Sequence, residues 1–424
     1  LIDSATYHGN VDVPKCITDF FEQHQADIPD EELTRCLKYV HRLFEKTLIP
    51  QQDGTIFVIT GDIPAMWIRD STWQVLPLLE MNPSLELCEI IGAVSQRQAH
   101  FLHIDPYANA FNESENGKCW HKDFPDQSDW VFERKFELDS WTAYLELALS
   151  LYEQTGYSRH LDERFWEVVA TIVQLCVQEQ RHDKSTYQFV RTDSPEWDQL
   201  PNGGFGSDMG YTGLVWSAFR PSDDRCAYGY HIPSNAHLSV VLKRLNVVAE
   251  TFGYQTLLPS MTTLVNDLNR ALSELVTTQE VLPYEIDGLG NAVWMDDPNI
   301  PSLLSLPFLG WCLNADPIYI RTRSWIHSPR HSHFVADGDV AGIASEHTPP
   351  KFVWPLSIAM RGLTTDEQSE RQDCLRILVG SDGGTGDMHE SFNISDPRQF
   401  TRHWFSWADM LFVQLVIRTR CNWR

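Results

Sequence analysis

Positive charge is scarce in this chain of 424 residues: Lys and Arg number 33 against 58 Asp and Glu, a formal net charge of −25. That balance excludes nucleic acid as a partner, because phosphate backbones are bound by clustered Lys and Arg. It equally excludes an anionic membrane surface. Long apolar runs are missing too. None approaches the roughly 18–20 residues that a membrane span needs. Residues 1–10 hold neither a basic nor an apolar stretch of the secretory-leader kind, so no targeting peptide is expected within them. The nine cysteines, scattered from Cys16 to Cys421, include no CxxC pair, which argues against a zinc knuckle or a thioredoxin-like motif. Their odd number leaves at least one thiol unpaired. Buried free thiols are the expectation, with one or two disulfides if the protein is secreted. A Walker loop, a GxGxxG turn and a GxSxG elbow are all absent.

Hydrophobic residues at 42% and charged residues at 21% are enough for a packed core and too apolar for disorder. Aromatics reach 12%, with 15 Trp. Most will be packing, but the number brings a sugar or aromatic ligand into view. Helical periodicity dominates, with apolar faces over 31–47, 139–155, 165–179, 235–251, 257–278, 299–313 and 406–417. Strand-like alternation is brief, at 55–60 and 187–191. No low-complexity linker interrupts the chain. The pattern predicts an all-α fold, one domain over 1–424, built as a ring of paired helices joined by long polar and aromatic loops.

Five segments carry the chemistry. In Gly61-Asp-Ile-Pro-Ala-Met-Trp-Ile-Arg-Asp-Ser71, the charged Asp62, Arg69 and Asp70 stand among apolar neighbours beside Trp67. An Arg–carboxylate fork can orient hydroxyls and an indole can face a sugar ring, while Ser71 or Asp70 can equally cap a helix. Phe132-Glu-Arg-Lys-Phe-Glu-Leu-Asp-Ser140 precedes an apolar helix. Its Glu137 and Asp139 either aim at a pocket or start that helix. The stretch from Trp216 to Asn235 groups Arg220, Asp223, Asp224 and Arg225 with Tyr228. Adjacent carboxylates raise one another's pKa, as a general acid near neutrality requires, although an Asp-rich turn after Pro221 is the plainer reading. Asp296 and Asp297 are placed to grip sugar hydroxyls or to open a helix. Finally, Ser381-Asp-Gly-Gly-Thr-Gly-Asp-Met-His-Glu-Ser-Phe392 leads to Thr401-Arg-His-Trp-Phe-Ser-Trp407. Glu390, beside His389, is a candidate base, and a solvated loop carboxylate is the alternative. His327, His331, His333 and His347 form a loose cluster, but His-Ser-Pro-Arg-His has a Pro and no Glu where a zinc helix needs one.

Together the pieces GDIPAMWIRDS, FELDS, FRPSDD with YHIPSN, MDDPNIPSLL, and MHESF with TRHWFSWA resemble glycoside hydrolase family 125, the metal-independent exo-α-1,6-mannosidases. The resemblance runs from about Asp30 to about Arg418. It implies an (α/α)6 toroid with the site at one end of the ring, and inverting hydrolysis of terminal α-1,6-linked mannose from mannan or N-glycan-type oligosaccharides. It implies no metal and no cofactor. It further implies an acid in the SDD segment, either Asp223 or Asp224, with Asp223 preferred because it follows Arg-Pro-Ser directly. The base it implies is Glu390. Trp67, Arg69, Asp70, Arg220, Tyr228, Asn235, Asp296, Asp297, His347, His389 and Trp404 are the expected sugar-binding residues. One departure stands out: Ser345-Glu-His347 replaces an expected Ser-Pro-His. Two other readings fit such a ring, a sugar epimerase or isomerase with a His pair, and a catalytically silent glycan-binding protein. Free mannose would change its NMR spectrum with the former, and mannobiose would bind without mannose release with the latter.

Overall fold

A computed structural model describes residues 11–421; the 1–10 stretch considered for a leader lies outside the described residues. In chain order the helices are α1 (Lys15–His24), α2 (Asp30–Arg42), α3 (Ile68–Val75), α4 (Leu85–Ile104), α5 (Leu138–Thr155), α6 (Glu163–Glu179), the short turn α7 (Pro201–Gly204), α8 (Ile232–Thr251), α9 (Leu258–Thr278), α10 (Pro317–Ile326), α11 (Pro355–Leu363), α12 (Gln368–Val379) and α13 (Ser406–Arg420).

Two kinds of helix alternate. α6 and α9 bury one stripe each, as in Met261, Leu264, Val265, Leu268, Ala271 and Leu272 of α9. In contrast, α3 is buried at every residue, and α5, α8 and α13 over most of their length. A helix buried all round has to be enclosed by protein on every side, whereas a striped helix packs one face inward. So α3, α5, α8, α11 and α13 form an inner ring, and α2, α4, α6, α9, α10 and α12 an outer layer. This is the (α/α)6 toroid. The sixth inner member is irregular. Where periodicity predicts a helix over 299–313, the chain makes successive turns, with Ser305 N–H bonded to Ser302 and Gly310 N–H to Pro307. Pro307 lacks the N–H that a helix would use and its ring crowds the preceding turn, so a regular helix cannot run through it.

Other expectations are trimmed at their ends. The helix predicted over 31–47 stops at Arg42 and passes through a π turn at Leu43–Thr47. Strand Ile56–Val58 pairs antiparallel with Leu48–Pro50, while 187–191 supplies only a bridge from Val190 to Phe124. Short sheets mark one end of the ring. Met66–Trp67 runs straight into α3, Tyr230–His231 into α8, and Phe352–Val353 lies just before α11. The N-termini of inner helices and the loops before them therefore gather at that end.

All nine cysteines are free thiols, six of them buried. No helix among the described residues is long and apolar enough to cross a membrane. Trp216 is buried and stacks on His182 with 3.4 Å between ring centroids. Gly229 packs so closely that a Cβ there would lie 1.7 Å from Trp216 Nε1.

Candidate active site

A cavity of about 250 Å³ opens at the sheet-bearing end of the ring. It is smaller than the roughly 300–1,000 Å³ of drug-sized clefts, a scale that suits one or two sugar-sized units. Of the residues singled out from sequence, Trp67, Arg69, Asp70, Asp223, His347 and Glu390 line it.

Arg69 and Asp70 come from the first turn of α3, and Asp139 from the first turn of α5, where backbone N–H groups favour negative charge. Arg69 is nearly fully buried. It donates to Glu137 at 2.6 Å, to Asp139 at 3.1 Å and to Asp223 at 3.1 Å. Asp70 Oδ2 is buried and takes no hydrogen bond from the protein. Burial pushes its carboxyl up to about 6, with Arg69 and Arg402 opposing and Asp223 and Glu390 reinforcing the shift. A buried acceptor that lines a cavity and lacks a protein donor is suited to receive a ligand hydroxyl.

Asp223 and Asp224 are neighbours in sequence with opposite surroundings. Asp223 has φ 67°, a left-handed backbone that a non-glycine residue adopts at a cost. The turn is held by Lys135 Nζ donating 2.7 Å to the Asp223 carbonyl and by Arg220 N–H donating 2.7 Å to the Asp224 carbonyl. That conformation brings the Asp223 side chain to the cavity, 30% exposed, within reach of Arg69. Asp224 turns the other way. Fully buried, it accepts from Ser222 Oγ at 3.2 Å and pairs with His347 Nδ1 at 2.9 Å. Burial works to lower His347, but Asp224 more than reverses this and raises it to about 9, so a cationic imidazolium faces the cavity at neutral pH.

Glu390 sits at the foot of the hairpin Ser391–Asn393 and Asp396–Thr401. It accepts from Thr401 Oγ1 at 3.2 Å and from Arg402 at 3.3 Å, and its side chain is 21% exposed. Arg402 also reaches Asp62 at 2.7 Å.

The other predicted residues stand behind the wall. Arg220 is buried between Glu285 and Glu346, the latter 2.9 Å away. The Glu346 that departs from the expected Ser-Pro-His thus serves as an anchor, and His347 still reaches the cavity. Tyr228 donates its N–H to Glu285 at 3.0 Å. Asn235 clamps the backbone of Val215 through bonds of 2.7 and 2.9 Å. Asp296 accepts from the N–H groups of Leu303 and Leu304, and burial raises it to about 8. Asp297 likewise holds Asn299 N–H at 3.0 Å. His389 lies against Phe400 with 3.6 Å between ring centroids and bonds the Arg402 carbonyl through Nδ1. Trp404 stacks under Arg42, 4.5 Å from its centroid. These seven residues are expected sugar contacts, and Asp224 an alternative acid, because each is a polar or aromatic side chain in a site-bearing segment. None of them lines the cavity: Arg220, Asp224, Asn235, Asp296, Asp297 and His389 are buried on protein partners, while Tyr228 and Trp404 are half-buried. Of the loose histidine cluster only His347 lines the cavity, and among the described residues no three His, Cys, Asp or Glu side chains converge as a metal-ligand set. Asn112, which opens the short Asn-Glu-Ser sequence of a glycosylation sequon, is buried, its amide bonded to the carbonyls of Lys118 and Asp129.

Sequence reasoning missed Trp120, Trp197 and Trp354 on the cavity, together with Lys135, Arg191 and Asp198. The high Trp count was the available signal, but nothing in the local pattern separated rim from core. Trp197 and Trp354 flank His347 at 5.5 and 5.7 Å.

A pocket of this kind, carrying tryptophans and two part-exposed carboxyls from separate loops at the end of an (α/α)6 ring, is that of a glycoside hydrolase. The chain belongs to the metal-independent α-mannosidases of glycoside hydrolase family 125, whose profile matches residues 30–417. It is 34% identical over 449 aligned residues to the Meiotically up-regulated gene 157 protein of Schizosaccharomyces pombe, covering 97% of this chain and 86% of that one. Among solved structures it is similar to a Streptococcus pneumoniae metal-independent α-mannosidase in a non-productive substrate complex with α-1,6-mannobiose. The identity is 38% and the TM-score 0.92, over 96% of this chain and 97% of that one. A bacterial glucoamylase complexed with acarbose shares the fold at TM-score 0.59 and 11% identity, over 94% of this chain and 56% of that one.

Proposed function

We propose that the chain is an exo-acting α-1,6-mannosidase that works with inversion and without a metal ion. The observation that carries the reading is the presence of two carboxyls, Asp223 and Glu390, on one small cavity. Hydrolysis needs an acid for the leaving oxygen and a base for water. Inverting enzymes hold the two carboxyl groups roughly 6.5–9.5 Å apart so that the water fits between.

In this reading Asp223 protonates the glycosidic oxygen while Glu390 takes a proton from water, whose oxygen bonds to the anomeric carbon as the sugar–oxygen bond breaks. Asp224 is set aside as the acid because it is buried against His347. Asp70, whose Oδ2 takes no hydrogen bond from the protein, accepts a mannose hydroxyl, and the ring nitrogen of His347 that does not face Asp224 donates to another. Trp67, Trp197 and Trp354 offer ring faces. A small pocket admits a chain end, which favours release of terminal mannose from mannan or N-glycan-type oligosaccharides.

Mannose release from α-1,2-, α-1,3- and α-1,6-mannobiose in excess chelator tests the reading. It expects rapid release from the α-1,6 isomer alone. Preference for another isomer, or inhibition reversed by calcium or zinc, contradicts it.

A further inference from the structure

Arg69 is surrounded by more negative charge than it carries. Its guanidinium lies 2.6 Å from Glu137, 3.1 Å from Asp139, 3.1 Å from Asp223 and 3.4 Å from Asp70. The side chains of Glu137 and Asp139 have no exposure, and that of Asp70 has 7%. Nearby cations are already engaged: Lys135 pairs with Asp198 and Glu133, and Arg402 with Asp62 and Glu390. Buried carboxylates at this density cannot all be ionised, so a proton remains among them.

Hydrogen bonding points to where. Asn109 Nδ2 lies 3.1 Å from Glu137 Oε1, 3.4 Å from Asp223 Oδ1 and 3.2 Å from Glu133 Oε2. One amide nitrogen has two hydrogens, so Asn109 serves at most two of these three oxygens at once. Glu137 and Asp223 also share Arg69, one on each terminal nitrogen. We propose that Glu137 and Asp223 hold one proton between them, and that Glu137 keeps, out of water, the proton that Asp223 delivers to the departing sugar oxygen.

The groups that face Glu137 agree. They are Arg69 from α3, Asp139 and Ser140 from α5, Asn109, Asp223 and Tyr187. Burial raises Glu137 well above the ordinary range, with Arg69 opposing and Asp223 and Asp139 adding to the rise. Burial also pushes Asp223 up, but Arg69, a hydrogen bond with Glu137 and Lys135 more than reverse this and hold it low. Alone, a carboxyl held so low is a poor acid near neutrality. With a proton one hydrogen bond away, it is a competent one. The proton passes from Glu137 to Asp223 and on to the glycosidic oxygen. Glu390 gains one from the attacking water, and exchange with solvent returns a proton to the pair. Glu137 acts through Asp223 and is a positioning residue.

The inference rests on Asp223 being the acid, and the test separates the two claims. Turnover of α-1,6-mannobiose is compared with that of dinitrophenyl α-mannoside, whose leaving group departs without protonation. Glu137→Gln is expected to lower kcat/KM on mannobiose about 10²-fold or more, to leave the aryl mannoside within a few-fold, and to move the alkaline limb of the mannobiose profile to lower pH. Glu137→Asp, which keeps a carboxyl, is expected to recover part of the loss. Equal damage to both substrates, or an unmoved alkaline limb, overturns the proposal. If Glu137→Gln fails to fold, the limb is read in Glu137→Asp, where an unmoved limb has the same force. Asp223→Asn is run alongside. If it shows no selectivity for the leaving group, the acid assignment fails and this proposal with it. If Asp223→Asn is selective and Glu137→Gln is not, only the shared proton is lost.

Discussion

The wall of the pocket that carries Asp223 is cross-braced by buried ions, whereas the wall that carries Glu390 is held by a hairpin and two long hydrogen bonds. On the first wall, Arg191 forks onto both Asp123 and Asp198, Lys135 bonds Asp198 at 2.7 Å, and Arg69 gathers its carboxylates behind Asp223. On the second, Glu390 meets only Thr401 and Arg402 at 3.2 and 3.3 Å. The difference matches the two tasks proposed for these carboxyls. A group that must carry a proton benefits from fixed charge in a dry setting, where carboxyls are forced to share protons. A group that must accept a proton from water benefits from an open position that water can reach. The same division separates Asp223 from Asp224, one residue apart. A left-handed backbone sends the first to the cavity and leaves the second under His347.

The contrast can be broken most severely at Glu390. Glu390→Gln is expected to lower kcat by about 10²–10⁴-fold or more while mannobiose still binds by calorimetry. Near-normal turnover would remove the base from that wall. Next comes the neighbouring pair. Asp224→Asn is expected to hurt mannobiose and aryl mannoside alike, because it acts through His347. It also changes stability with pH. His347 is raised from 6.5 to about 9 by Asp224, so the pair's stabilisation is complete below about pH 6.5 and fades as pH rises through about 9. The wild type should lose melting temperature over that window, and Asp224→Asn should lose less of it.

The bracing itself is tested by denaturation. Arg191→Ala leaves Asp123 and Asp198 without their buried partner and is expected to cost about 3–5 kcal/mol. Arg402→Ala, on the more open wall, is expected to cost less stability and more kcat. Equal stability losses would erase the distinction between the walls. The smallest effect is expected at the rim. Trp120 is 47% exposed, and Trp120→Ala should raise KM a few-fold with an unchanged melting curve.

Much of the ring was legible because helices report burial through their period. The stripes of α6 and α9, and the apolar density of α5 and α13, follow directly from residue spacing. The sixth inner member was misread because apolar spacing over 299–313 persists through Pro307, whose missing N–H overrides the pattern. At the site, Arg69 and Asp70 stood out as charges among apolar neighbours, Asp223 as one of two adjacent carboxyls, and Glu390 at the end of a glycine-rich loop. Asp296 and Asp297 stood out as a second pair of adjacent carboxyls and Asn235 came with the resemblance, yet they satisfy backbone N–H and carbonyl groups. Sequence shows that a buried polar residue needs a partner, but not whether that partner is ligand or backbone. Lys135 and Arg191 escaped notice because their partners, Asp198 and Asp123, lie on distant loops that only the fold brings together.

In the proposed reading, water activated at Glu390 attacks the face of the sugar opposite the leaving group protonated from Asp223, which inverts the anomeric centre. Proton NMR of the mannose first released from the methyl glycoside of α-1,6-mannobiose, whose other product has no free anomeric centre, recorded before mutarotation, tests this most directly. The account predicts the β-anomer first, with the α-anomer growing in later. The α-anomer appearing first would contradict it.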